Sequence, residues 1–391
     1  MTAVAVDKNI AKKDLCWLMV GRVLKVKILV LANFGMGLYN FRKELIEELI
    51  KEKNEVFISL PNDEYVPKLK NLGCKFIVTH LDRRGTNPTK DLKLLLHYIK
   101  IIKQNKPDVV LTYTIKPNVY GGLACQLTKT PYITNITGLG TSVENEGLIQ
   151  KITLMLYKAG LKKASCLFFQ NETNLKFFFD KKLVRSKTRL VPGSGVNIDQ
   201  HTLEEYPNDN EMNRFLFIGR MMKSKGIEEL LQAAKVVKEK YPNTQFDLIG
   251  HCEEDYHQQL VELNQRGIID YHGQQNDVHS FIKKSHATIL PSYHEGTANV
   301  LLESASSGRA VLASRVPGCR ETFEDGISGL GFEVRNVDSL VEAITKFINL
   351  PFEQKRAMGI AGRKKMEKEY DRKIVINAYI DEINNFREKS I

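Results

Sequence analysis

Short apolar runs alternate with amphipathic segments along this chain, and this alternation most constrains the fold. The first half contains the apolar runs KVKILVLAN, EVFISLP, CKFIVTHL, DVVLTYT and YITNITG. The segments between them, such as LYNFRKELIEELIKEKN, repeat apolar residues at helical spacing. Apolar strands separated by amphipathic helices are typical of a parallel sheet covered on both faces, because such strands are buried on both sides.

The pattern is interrupted once and then restarts. Residues 191–213 (VPGSGVNIDQHTLEEYPNDNEMN) are rich in turn-forming residues. The runs RFLFIGR, QFDLIG, IIDYHG, ATILPS and RAVLAS follow, and a helical region begins near residue 338. A chain of 391 residues is long enough for two domains. We therefore predict an α/β protein with two Rossmann-like, doubly wound parallel-sheet domains facing a cleft, where a ligand is expected to bind.

The same pattern predicts the domain boundaries. In chain order we expect an N-terminal extension, an N-terminal domain, a linker, a C-terminal domain and a C-terminal helix that packs back on the N-terminal domain: 1–24, 25–195, 196–213, 214–365 and 366–391. The extension does not resemble a cleavable signal, and no apolar run is long enough to span a bilayer. The six cysteines form no C-x-x-C pair, which indicates reduced thiols in a cytoplasmic protein.

The positive charge is concentrated in one half of the chain. The net charge is +11, of which residues 1–200 carry +15 and residues 201–391 carry −4. Nucleic acid, an anionic membrane or phosphate-bearing substrates all attract such a surface. Residues 148–169 are basic and amphipathic, and residues 176–189 place three phenylalanines beside six cationic residues. This placement favours an anionic membrane surface over nucleic acid, although a helix packed on its own domain explains either segment alone.

Two glutamates stand out in HEGTANVLLESASSG (294–308). A helix is expected from an N-cap near Thr297 to the glycine that ends the segment. Asn299 and Glu303 are four residues apart and share one stripe of that helix, and Glu295 precedes them. Both carboxylates then lie at the carboxyl end of a strand and the amino end of a helix, where open α/β sheets bind ligands. The alternative is that Glu295 caps the helix and Glu303 is a solvated surface charge.

Two further loops follow strands in the second half. FIGRMMKSKG (217–226) places Arg220 and Lys225 at a strand's carboxyl end, where two cations suit a diphosphate. Either residue alone is better explained as surface charge. YHGQQNDVHSF (271–281) places Gly273 in a turn whose backbone suits a flat base.

Together these motifs resemble the retaining glycosyltransferases of family 4, which have the GT-B fold, over about residues 25–385. The resemblance implies that Arg220 and Lys225 hold the diphosphate of a nucleotide sugar. It also implies that Glu295 lies at the donor sugar, and that Glu303 binds the ribose hydroxyls. Arg220, Lys225 and Glu295 would be the catalytic residues. The remaining donor-binding residues that it implies are Gly35, Gly37, Gly273, Gly296, Thr297, Ala298 and Asn299.

The acceptor side resembles one subgroup of that family. TYTIKPNVYGG (112–122) is similar to capsule and bacterial glycan enzymes, which extend undecaprenyl-diphosphate-linked sugars. Many family members have a histidine near this strand end, whereas this chain has Thr112, Tyr113 and Thr114, so no histidine base is implied. The acceptor contacts that we expect are Thr114, Lys116, Asn118 and, in a later loop, Gly138.

The predicted activity follows from this resemblance. We expect a cytoplasmic enzyme, peripherally bound to the inner face of the membrane, that moves a sugar from a UDP-sugar donor to a lipid-linked sugar acceptor. HexNAc donors are favoured. No Asp-x-Asp motif occurs in the chain, so we expect no metal, and no cofactor besides the UDP-sugar co-substrate. A UDP-sugar 2-epimerase of similar architecture and a non-catalytic sugar-nucleotide-binding protein are the alternatives.

Overall fold

The computed structural model describes residues 25–81, 87–138, 147–208 and 212–387, so the predicted extension lies outside the described residues. The strands form a seven-stranded sheet with the order β3-β2-β1-β4-β5-β6-β7 and a six-stranded sheet with the order β10-β9-β8-β11-β12-β13. The strands are β1 (Lys27–Leu31), β2 (Glu55–Leu60), β3 (Lys75–Val78), β4 (Val109–Tyr113), β5 (Tyr132–Ile136), β6 (Cys166–Phe169), β7 (Lys187–Leu190), β8 (Asn213–Ile218), β9 (Thr244–Ile249), β10 (Asp270–Tyr271), β11 (Ala287–Leu290), β12 (Ala310–Ser314) and β13 (Gly329–Phe332).

Both sheets reverse their winding direction at one place. In the first sheet β1 pairs in parallel with β2 on one side and with β4 on the other. In the second, β8 pairs in parallel with β9 and with β11. Loops that leave β1 and β4, or β8 and β11, therefore diverge and open a crevice at the carboxyl ends of the strands. The predicted fold class, two doubly wound parallel sheets, is confirmed.

Helices connect most of these strands, as the apolar periodicity predicts. The α-helices are α1 (Gly35–Lys51), α2 (Val66–Asn71), α3 (Pro88–Asn105), α4 (Gly122–Thr128), α5 (Leu148–Leu161), α6 (Glu172–Asp180), α7 (Ile227–Lys240), α8 (His257–Gln265), α9 (His279–Lys284), α10 (Asn299–Ser306), α11 (Val337–Ile348), α12 (Phe352–Lys365) and α13 (Arg372–Arg387). A single 3-10 turn, Lys223–Lys225, lies between β8 and α7.

Contacts divide the described chain into two compact units. The first contains residues 25–134, 159–166 and 379–387, and the second contains residues 135–158 and 167–378. In the first unit, the Tyr379 ring from α13 lies 6.2 Å from that of Tyr113. The domain boundaries inferred from the sequence stay a prediction.

The structure divides each of the two basic segments, residues 148–169 and 176–189, between a helix and a strand. Residues 148–169 form helix α5 and then the fully buried strand β6, not one amphipathic element. Residues 176–189 end helix α6 and enter strand β7. Of their three phenylalanines, Phe178 is fully buried and Phe179 is exposed. A four-residue connection between α5 and β6 contains no glycine or proline, so the periodicity of the sequence does not mark the boundary.

Membrane spans and disulfides are both missing from the described part of the chain. None of its helices combines the length and the apolar character that crossing a bilayer requires. Its five cysteines are free, and four of them are buried.

Candidate functional site

The loop after β8 carries two of the predicted cations. Arg220 lies two residues after the strand, and Lys225 ends the 3-10 turn before α7. Gly226 caps that turn with φ 70°, and a Cβ built on it would lie 2.1 Å from the carbonyl oxygen of Pro291. Only glycine permits both this backbone conformation and this close approach. The β8 loop is therefore seated directly against the chain that leaves β11.

The loop after β11 carries Glu295. A hydrogen bond from the Tyr293 N–H to the carbonyl of Ser224, 2.9 Å long, ties it to the 3-10 turn. The Ser292 hydroxyl donates to Glu295 Oε1 over 2.8 Å. The Glu295 side chain is only 15% exposed. Its carboxylate is therefore held in one position by the loop around it.

Lys225 and Glu295 touch each other. The Lys225 ammonium donates to Glu295 Oε1, and both side chains are largely buried. Lys225 comes from the β8 loop and Glu295 from the β11 loop, so the contact lies at the crevice of the second sheet. An ammonium has three hydrogens and a carboxylate has two oxygens, so each group keeps bonding capacity for a ligand.

Arg220 is held by a carboxylate that the sequence did not single out. Its guanidinium donates from Nη1 to Glu253 Oε2, on the loop after β9. The backbones of these loops pair at Met221 and Cys252, and Glu254 accepts a hydrogen bond from the Lys223 N–H over 2.7 Å. The sequence does contain a signal for this contact. Two consecutive acidic residues, Glu253 and Glu254, follow β9, and β9 adjoins β8 in the sheet.

Helix α10 begins one residue later than predicted, with Ala298 at its N-cap in place of Thr297. The reason is a backbone bond: the Ala298 N–H donates to the Gly318 carbonyl over 2.9 Å. The N–H groups of Gly296 and Thr297 donate no hydrogen bond to any residue that the structure describes. Asn299 Oδ1 accepts a 2.6 Å bond from the Ser194 hydroxyl. The two unbonded N–H groups suit phosphate oxygens, whereas Ala298 has already used its own.

Glu303 lies on α10, one turn beyond Asn299, and its residue surface is half-buried. The surrounding protein desolvates the carboxyl group and raises its pKa to about 7, against a smaller lowering effect of the Arg372 charge. No described residue donates a hydrogen bond to this carboxylate. A carboxylate that is desolvated, partly accessible and unbonded is suited to accept two hydroxyl groups of a ligand.

Gly273 lies in the loop after β10, and its φ of 63° lies in the left-handed region. Its carbonyl accepts a 2.8 Å bond from the Gly250 N–H, and a Cβ on Gly250 would lie 1.8 Å from the Gly219 carbonyl oxygen. The loops after β10, β9 and β8 are thus packed side by side. Within the described ranges, Asp247, Asp270 and His272 also place ligand atoms within 4.8 Å of one another. Asp247 already bonds His272 over 2.8 Å, so this group is explained as a structural cluster.

Gly35 and Gly37 lie in the first unit, at the start of α1. The Gly35 N–H donates to the carboxylate of Asp63, and a Cβ on Gly37 would lie 2.5 Å from the Phe34 ring. A carboxylate therefore sits where the family resemblance implies a donor phosphate. The role of these glycines stays a prediction.

The predicted acceptor residues lie mainly after β4. Thr114 has φ 72°, and its buried hydroxyl has no hydrogen-bond partner among the described residues. A β-branched residue in this conformation is strained by about 1–3 kcal/mol, and such strain is concentrated at functional sites. Lys116 pairs with Asp91 over 2.9 Å, and Asn118 is buried. Gly138 lies in the second unit, where its ideal Cβ is 3.7 Å from the Gly296 Cα.

Two protein-family models match this chain. The model described as glycosyl transferase 4-like matches residues 27–171, and the model described as glycosyl transferases group 1 matches residues 200–365. The N,N'-diacetylbacillosaminyl-diphospho-undecaprenol alpha-1,3-N-acetylgalactosaminyltransferase of Campylobacter jejuni is 28% identical over 373 residues, covering 91% of this chain and 97% of that protein. The UDP-Gal:alpha-D-GlcNAc-diphosphoundecaprenol alpha-1,3-galactosyltransferase of Escherichia coli is 25% identical, covering 67% and 72%.

A solved structure supports the fold. Anabaena HepE in complex with UDP-glucose superimposes with a TM-score of 0.76 at 17% identity, covering 92% of this chain and 99% of that one. At this level of identity the similarity concerns the fold alone.

Proposed function

This chain belongs to the family 4 glycosyltransferases, and we propose that it transfers a sugar from a UDP-sugar to an undecaprenyl-diphosphate-linked saccharide in the assembly of a bacterial surface glycan. The observation that carries the proposal is the contact between Lys225 and Glu295 at the crevice of the second sheet. It brings a cation suited to phosphate and a carboxylate suited to sugar hydroxyls to one point.

The donor is proposed to bind along the loops of the second unit. Lys225 and Arg220 would bind the diphosphate, together with the unbonded N–H groups of Gly296 and Thr297. The free carboxylate of Glu303 would accept the ribose hydroxyls. Glu295 would use its second oxygen for a hydroxyl of the donor sugar. A HexNAc donor and a lipid-diphosphate acceptor are supported by the similarity to the Campylobacter jejuni relative, an N-acetylgalactosaminyltransferase named for a diphospho-undecaprenol acceptor.

The chemistry follows from the charges. When the bond between the anomeric carbon and the phosphate breaks, its electron pair leaves with UDP, and negative charge grows on the phosphate oxygens. Lys225, Arg220 and the nearby N–H groups would stabilise that charge without reorganising, which commonly lowers a barrier more than any other single effect. The acceptor hydroxyl would attack from the same face, and its proton would pass to the departing phosphate. The anomeric configuration is then retained, and neither a covalent intermediate nor a metal is needed.

The acceptor is anchored in a membrane, and helix α5 offers a surface for it. Leu148, Ile149, Ile152 and Met155 are between 41% and 74% exposed. Lys151 and Lys158 on the same helix are exposed as well. An exposed apolar stripe flanked by lysines suits the anionic inner leaflet of a cell membrane. We therefore propose peripheral association with that surface.

A transfer assay tests the function. The protein is incubated with UDP-GalNAc, UDP-GlcNAc, UDP-galactose or UDP-glucose and an undecaprenyl-diphosphate-linked saccharide, with EDTA or with Mg²⁺. We expect the lipid-linked product to gain one HexNAc residue both with EDTA and with Mg²⁺. The NMR coupling constant of the new anomeric proton should show the same anomeric configuration as in the donor. Conversion of a UDP-HexNAc to its 2-epimer would indicate the epimerase instead. Binding of UDP without turnover would indicate a non-catalytic protein.

A further inference from the structure

The first unit contains a cavity of about 260 Å³ beside helix α3. Its walls come from three places in the sequence. His80 follows β3, Lys90, Asp91 and Lys93 lie in the first two turns of α3, and Lys116 follows β4. Binding pockets for drug-sized ligands enclose about 300 to 1,000 Å³. This cavity is therefore too small for a nucleotide sugar and suits a small group.

The charge of the cavity indicates what that group is. Three lysines and one aspartate line it, so these side chains carry a net charge of about +2. Asp91 is buried and accepts bonds from the Lys116 ammonium over 2.9 Å and from the Tyr120 hydroxyl over 3.0 Å. Lys116 is therefore fixed in the wall, and its ammonium keeps further hydrogens to donate. Lys90 and Lys93 are exposed at the rim.

An apolar surface continues from this rim along α3. Leu92 and Leu96 are four residues apart, on one stripe of the helix, and are 56% and 57% exposed. Leu92 lies between two residues that line the cavity, and Leu96 lies one turn beyond Lys93. A ligand that fills the cavity with an anionic group and has an apolar chain would therefore cover this stripe.

We propose that this cavity binds the diphosphate of the lipid-linked acceptor and that the Leu92–Leu96 stripe contacts the first units of its isoprenoid chain. This inference rests on the proposed function. A diphosphate diester has one negative charge on each phosphate, which matches the charge of the cavity. Thr114, with its strained backbone and unbonded hydroxyl, lies two residues before Lys116 and is available for the sugar next to the diphosphate.

The test compares two double substitutions on the same helix. Lys90→Glu with Lys93→Glu reverses the charge of the rim, and Lys100→Glu with Lys103→Glu reverses two exposed charges farther along α3. The acceptor is a short-chain polyprenyl-diphosphate-linked saccharide in solution without vesicles. We expect the rim variant to raise the acceptor KM about a hundredfold, because two charge-assisted hydrogen bonds are lost. The donor KM stays unchanged, and the control variant changes the acceptor KM less than twofold.

A binding measurement keeps this inference separate from the proposed function. If the parent protein shows no transfer, the function fails, and calorimetric titration with the same lipid-diphosphate saccharide still tests the cavity. Weaker binding to the rim variant than to the control supports the site. Equal affinities of both variants, or an equal rise of KM in both, would overturn it. Anionic phospholipid vesicles without acceptor form a further arm, because a larger loss of vesicle binding in the rim variant would assign the cavity to lipid headgroups.

Discussion

The carboxyl group of Glu303 illustrates how surrounding protein changes the chemistry of one residue. Burial raises its pKa to about 7, so the acid and the carboxylate are both present near neutral pH. Only the carboxylate is an acceptor alone at both of its oxygens, because the protonated acid has become a donor at one of them. Ribose binding through Glu303 therefore requires a pH above the pKa of this group.

This leads to a prediction about pH. The ionised fraction of a group with a pKa of about 7 rises about tenfold from pH 6 to pH 8, so the affinity for UDP is expected to rise by about the same factor. The measurement is the Kd of UDP across this range by calorimetry. Glu303→Gln is the control, because the phosphate of UDP also titrates. A pH dependence that is the same in this variant would exclude Glu303 from binding.

At the same scale, the sequence identifies some site residues and not others. Glu295 and Lys225 belong to motifs, and the structure brings them into contact. Glu253 has no motif: its relation to Arg220 depends on β9 lying next to β8, which is a property of the sheet order. The pKa of Glu303 was also unpredictable, because desolvation depends on every element packed around the carboxyl group.

Among the structural elements, the turn before α7 determines where Lys225 lies. Gly226 combines a positive φ with a close approach to the backbone at Pro291. Gly267 has a similar φ of 66°, but no atom lies within 4 Å of an added Cβ. Substitutions at these two positions therefore distinguish the effect of backbone strain from the effect of steric contact.

We predict that Gly226→Ala is much more damaging than Gly267→Ala. The left-handed conformation costs alanine about 1 kcal/mol at either position, and the contact with Pro291 raises the total at Gly226 to about 3 kcal/mol. Urea denaturation followed by circular dichroism measures both losses of unfolding free energy. Gly226→Ala should also weaken UDP binding, because the turn carries Lys225. Equal stability losses would show that the approach to Pro291 does not constrain the loop.

Helix α5 is the element proposed to contact the membrane. We predict that replacing Ile152 and Met155 with asparagine weakens binding to anionic vesicles at least about tenfold, because two exposed apolar side chains no longer enter the lipid. Flotation at low salt measures this binding. Val236→Asn with Val261→Asn is the matched control, since these side chains are 48% and 40% exposed on other helices. An equal loss in the control, or no flotation of the parent protein, would contradict the membrane surface.

Strands were predictable where they are buried on both faces. The runs that form β1, β2 and β4 are apolar throughout most of their length, and flanking turns mark their ends. β7 has the sequence KTRL with its two ends exposed at the edge of the sheet, so nothing in its composition indicates a strand. β6 was missed for a different reason, since its apolar residues continue the amphipathic pattern of α5.

For the whole molecule, the sequence predicts the architecture because two alternating patterns are separated by a turn-rich segment. The order of strands within each sheet follows from short, right-handed connections, so a doubly wound sheet was predictable. The division into units was not, because it depends on contacts between segments that are distant in sequence: residues 159–166 join the first unit, whereas residues 135–158 and 167–378 form the second. The charge difference between the halves of the chain, +15 for residues 1–200 against −4 for residues 201–391, is consistent with a phosphate-bearing, membrane-anchored acceptor bound by the first half.

Calorimetric titration of UDP into the whole protein tests the central claim most directly. We predict exothermic binding that Lys225→Ala weakens by about tenfold to a hundredfold, because charge-assisted hydrogen bonds to the diphosphate are lost. Lys223→Ala is the control: it lies on the same turn, its side chain is 64% exposed, and its partner is Glu228. That variant should bind UDP like the parent protein. No heat from the parent protein, or the same loss of affinity in both variants, would contradict the assignment of this crevice to a UDP-sugar.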